Sequence, residues 1–62
     1  MDATHNLILE QFNTYIEENE KFTEKGNKAA ATRARKALLE IKKLTASRRI
    51  EILDAKKALS LA

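Results

Sequence analysis

The chain has no cysteine, no proline, no tryptophan, one glycine and only three aromatic residues in 62 positions. Without cysteine there is no disulfide framework and no thiolate chemistry, neither metal-binding nor redox, to supplement a small core. Without proline, and with a single glycine at position 26, nothing breaks a helix except at one point, while ten alanines favour helix strongly. The expected fold class is therefore all-α. No apolar run approaches the ~20 residues that span a bilayer, and Met1-Asp2-Ala3-Thr4-His5 lacks the basic start and apolar block of a secretory signal. The expected compartment is the cytoplasm. Sixty-two residues make one small domain, 1–62, and such a chain buries only ~60% of the surface it exposes when unfolded, so association with a partner chain is expected to supplement the core.

What is present is charge, unevenly placed. The net charge of +3 hides a division at Gly26. Residues 1–25 hold two lysines against six acids, net −4, and residues 26–62 hold ten cations against three acids, net +7. Such asymmetry points toward nucleic acid or an anionic surface. Within the basic half, a cation recurs every seven residues at Lys28, Arg35, Lys42, Arg49 and Lys56, shadowed by Lys36, Lys43 and Lys57. Seven residues are nearly two helical turns, so these positions stack on one face with a slow drift, about 10.5 Å apart along the axis. A rail of this kind suits a polyanion. With ~5 phosphates contacted, log affinity falls with log salt at a slope near −4.5. Base readout is not expected, because most of the cations are Lys and no Asn or Gln follows the start of the second helix.

Periodicity organises the rest. Ile8, Phe12, Tyr15 and Phe22 follow helical spacing, with Ile16 beside Tyr15, and predict an amphipathic helix over about 3–25 whose aromatics lie in the core and whose carboxylates lie on a solvated face. Asp2 or Thr4 is the candidate cap. Gly26 can end that helix in the left-handed conformation and Asn27 can cap the next. From there Ala30, Ala34, Ala37, Leu38, Ile41, Leu44, Ile52, Ala55 and Leu59 share one sector of a helix running over about 28–60. The short connection predicts an antiparallel hairpin, with Phe22 across from Ala30 and the first helix running out opposite about Arg48. That leaves Ile50, Ile52, Leu53, Leu59 and Leu61 as the expected oligomer interface of a homodimeric bundle or coiled coil, the alternative being a frayed tail after Thr45-Ala46-Ser47. Arg48 falls inside the apolar sector and is expected to pair with a carboxylate or reach outward past the first helix.

The segments Glu24-Lys25-Gly26-Asn27-Lys28-Ala29-Ala30-Ala31, Arg33-Ala34-Arg35-Lys36 and Glu40-Ile41-Lys42-Lys43-Leu44 resemble the bacterial histone-like proteins of the chlamydial linker-histone type, over roughly residues 5–57. The resemblance implies a nucleoid-associated protein that binds double-stranded DNA with little sequence preference and compacts or bridges it. The best-known members carry a long Lys-, Ala- and Pro-rich tail after this domain, and none is present in these 62 residues. DNA binding is thus expected of the helical domain itself, either along the ladder or at the turn, where Lys25 and Lys28 flank a helix N-terminus.

Enzymatic chemistry is not expected. His5 is the only histidine, Ser47 and Ser60 have no base at helical spacing, and there is no glycine-rich phosphate loop, so neither a cofactor nor a metal is expected. Two rivals to DNA binding remain at this point. One is a protein-protein module that uses the apolar overhang; the other is a membrane-surface helix, which would lack the large aromatics usual on its apolar face.

Overall fold

The structure, a computed structural model, describes residues 3–61, and side chains through Ser60. It consists of two helices, α1 (Ala3–Lys25) and α2 (Lys28–Leu61), packed as an antiparallel hairpin about 53 Å long and 14 Å across. The turn forms as its residue types dictate. Gly26 adopts φ +65°, where a Cβ is disfavoured, and its N–H donates to the Phe22 carbonyl at 2.9 Å. Asn27 then caps α2, its side-chain oxygen accepting from the Ala30 N–H at 3.1 Å. The first helix is not capped by Thr4, which sits inside α1 and donates its hydroxyl to Glu51 instead; Asp2, the other candidate, lies outside the described residues.

The contact line is small-residue packing. Ala30, Ala34, Ala37 and Ile41 are the buried apolar residues of the described chain, with Ala30 fully covered. Alanines let two helix axes approach closely, which is why large residues of α1 can lie against this stripe. A contact line between only two helices is narrow, however, and the aromatics expected in the core are only partly covered. Phe12 and Phe22 stay 44% and 45% exposed, and Tyr15 alone is half-buried. The helical wheel gave their direction correctly, but their size carries them past the alanines and onto the flank of the pair.

The overlap also extends further than the sequence suggests. Thr4 Oγ1 donates to Glu51 Oε2 at 2.7 Å, so α1 runs out nearly a turn beyond Arg48. Past that point α2 continues as unbroken helix to Leu61, and no fraying begins at Thr45-Ala46-Ser47. Ile50, Ile52, Leu53 and Leu59 are exposed there, Leu59 to 79%, while the side chain of Leu61 lies outside the described residues. Fully burying one such side chain contributes roughly 1.5–3 kcal/mol, so the isolated hairpin leaves a large part of its apolar driving force unused.

Candidate nucleic-acid interface

Because α2 is uninterrupted, the seven-residue spacing of its cations becomes a physical rail. Lys28, Arg35, Lys42, Arg49 and Lys56 are all exposed, as are Lys36, Lys43 and Lys57. Each step of seven residues falls about 20° short of two full turns. Lys28 therefore points almost directly away from the Ala30–Ile41 stripe, and the rail winds toward that stripe as it proceeds. By its last rungs it has reached the apolar overhang: Arg49 and Lys56 line an open groove of about 520 Å³ together with Ala46, Ile50, Ile52 and Leu53. The rail is thus purely polar at its start and mixed with aliphatic surface at its end.

The cations differ in how committed they are. Lys43 has Glu40 at 3.9 Å, a long, exposed pair of little consequence. Lys25, Lys28, Arg35, Lys36, Lys42, Arg49, Lys56 and Lys57 make no ion pair within the described chain. Lys25 ends α1 and Lys28 begins α2, so both stand exposed at the turn, beside the free amides of the α2 N-terminus.

Two arginines that share the basic half do structural work. Arg48 donates to Glu51 Oε1 at 3.1 Å, and with Thr4 on Oε2 this forms a clasp at the open end of the hairpin. Those two hydrogen bonds, the one from Thr4 foremost, hold the Glu51 carboxyl below the usual carboxylate range. Arg33 reaches across the pair to Glu18, Nε to Oε2 at 3.0 Å, and Lys21 approaches the other carboxylate oxygen at 3.6 Å. Glu18 is 9% exposed, so it departs from the solvated face expected for the α1 carboxylates. Its signal was present in the sequence: Glu18 falls four residues before Phe22 and seven after Gln11, on the shoulder of the buried line, where a carboxylate needs a cation across the gap.

A model of the protein family described as Histone H1-like protein Hc1 matches residues 2–58. The chain belongs to that family. The match spans both helices, the turn and every cation from Lys25 to Lys57, so the Hc1 family resemblance resides in this helical hairpin itself and places the chain among DNA-binding, nucleoid-associated proteins. No curated protein and no solved structure matches the chain. Among the described residues no cluster of His, Asp and Glu is suited to holding a metal ion, and no helix is long and apolar enough to cross a membrane.

Proposed function

We propose that this member of the Hc1 family is an architectural nucleoid protein that binds double-stranded DNA without sequence preference, through phosphate contacts made by the cations of α2, and that it does so as a homodimer able to bridge or compact DNA. The observation that carries this reading is the long row of exposed cations with no acidic partner in their own chain. An arginine or lysine already paired would have to give up that partner before meeting a phosphate. These need only displace counterions, and each phosphate met adds to affinity and to salt dependence alike. Lys25 and Lys28 extend the same surface around the turn. The three aromatics lie on α1, away from the rail, which favours duplex over single-stranded ligand. The overhang bearing Ile50, Ile52, Leu53 and Leu59 supports association of two copies.

The test is a salt-titrated mobility shift on duplex DNA with the variant Arg35→Gln, Lys42→Gln, Arg49→Gln. Helicity should be retained, because all three side chains are exposed. Affinity should fall equally across unrelated sequences, and the slope of log affinity on log salt, near −4.5 with ~5 phosphates neutralised, should shrink by about 0.9 for each phosphate left without its cation. Unchanged mobility at low salt would eliminate the rail as the binding surface. A second reading, a protein-protein module, draws on the groove where Arg49 and Lys56 meet Ile50, Ile52 and Leu53; it predicts binding of a protein ligand that is nearly insensitive to salt.

A further inference from the structure

An antiparallel helix pair has two flanks, and the Glu18–Arg33 contact identifies which residues share each one. On α1, Glu18 lies to one side of the line through Ile8 and Tyr15, while Leu9, Phe12 and Ile16 lie to the other. On α2, Arg33 lies to one side of the line through Ala30, Ala34, Ala37 and Ile41, while Leu38 lies to the other. Leu9, Phe12, Ile16 and Leu38 therefore form a single apolar flank opposite the ion pair. All four are between 44% and 57% exposed. One flank of the hairpin is closed by charge and the other is left apolar.

Charge indicates what covers it. Glu10, Glu17 and Glu24 recur every seven residues on the outer face of α1, exposed and without an ion pair among the described residues. Because Glu18 stands across from Arg33 and Thr4 across from Glu51, Glu24, Glu17 and Glu10 are level, within about one turn, with Lys28, Arg35 and Lys42. The chain thus carries an acidic rail and a basic rail at matching heights on its two outer faces.

We propose that a second copy of this chain docks on the Leu9–Phe12–Ile16–Leu38 flank, related by a two-fold axis parallel to the hairpin, giving a four-helix bundle in which α1 of each copy lies against α2 of the other. This rests on the two-copy part of the functional reading and is independent of its DNA part. The two-fold along the hairpin sets the acidic rail of each α1 beside the first three rungs of the other copy's basic rail. A perpendicular two-fold would instead set α1 against α1 and acid against acid. The parallel axis also brings both overhangs to one end, where Ile52 and Leu59 of the two copies can cover each other. Arg49 and Lys56 extend past the acidic rail and stay open to a polyanion.

Sedimentation equilibrium without DNA should give twice the 7.0 kDa chain mass for the native chain. Ile16→Lys should return it to a single chain mass with helicity retained, because Ile16 is more than half exposed in the hairpin, and Leu53→Lys should leave it at two. A native protein of single-chain mass overturns the proposal, as does an Ile16→Lys variant that keeps two chains while Leu53→Lys loses them. A second measurement holds even if Ile16→Lys misfolds. The chain has no cysteine, so spin labels on Ser60→Cys report one distance. Labels at the same end of the bundle support the parallel axis, and a separation approaching the 53 Å length of the hairpin excludes it. A dimer that fails to bind DNA would defeat the rail and leave this proposal standing.

Discussion

At the turn, α1 and α2 are joined by backbone: Gly26 in the left-handed region, the Asn27 cap, and then Ala30, Ala34 and Ala37 at close approach. At the open end they are joined by side chains, with Thr4 and Arg48 both bonded to Glu51 and aliphatic surface exposed around them. The first junction depends on shape and is indifferent to salt and pH, whereas the second depends on a carboxylate and is sensitive to both. The hairpin is therefore zipped from its turn. Its open end is the place where conditions, or a second copy, can alter the structure. The cationic rail passes over both regions, polar over the first and mingled with Ile50, Ile52 and Leu53 over the second.

The largest effect should come from breaking the shape of the turn half. Ala37 is 2% exposed on the contact line, so Ala37→Leu forces the helices apart and should destabilise by about 1–3 kcal/mol. The matched change Ala46→Leu, on an exposed position of the same helix, should stay within about 0.5 kcal/mol. Thermal unfolding followed by circular dichroism at one fixed chain concentration separates the two. Equal stabilities would show that the alanine stripe is not the line of closest packing.

A smaller loss should follow at the turn itself. Gly26 has φ +65° with open space where a Cβ would stand, so Gly26→Ala incurs conformational strain and no clash. The expected cost is about 1 kcal/mol, and Gly26→Asn, which tolerates this conformation better, should recover part of it. If the two variants unfolded together, strain at this residue would not be the cause.

Much of this was legible in the sequence because the features are local or periodic. Gly26 and Asn27 punctuate a chain with no other breaker, which sets the helix bounds within a residue or so, and the three- and four-residue spacing of Ala30, Ala34, Ala37 and Ile41 identifies the buried stripe. Arg48 was legible too, since a cation inside an apolar sector needs a carboxylate, and Glu51 supplies it. Periodicity gives direction around a helix but not the width of the contact, so Phe12 and Phe22 were placed in the core although nearly half of each is exposed. Pairs far apart in sequence carry no local signal: Thr4 with Glu51 and Glu18 with Arg33 arise only from the register of the hairpin. The exposure of the rail was legible; which of its rungs meet DNA depends on a partner that the periodicity of one chain does not encode.

The mildest test acts on the clasp alone. The Thr4 hydroxyl, and after it the Arg48 guanidinium, hold the Glu51 carboxyl below its ordinary range in the folded protein. A folded state with the lower pKa binds fewer protons than the unfolded chain in acid, so the clasp's contribution is complete above the ordinary carboxylate pKa and fades as pH drops through the depressed value. Glu51→Gln removes the charge at every pH. The native chain should therefore melt slightly above the variant at pH 7, and the gap should close as the pH is taken below about 4, the ordinary carboxylate range. Amide exchange should show where this occurs, with faster exchange in the variant confined to the first turns of α1 and the segment of α2 around Glu51, while Ala30 and Ala31 beside the Asn27 cap keep their native protection. A gap that stays constant across the acid range, or one that loosens the turn as much as the open end, would mean that the two ends of the hairpin are not held independently.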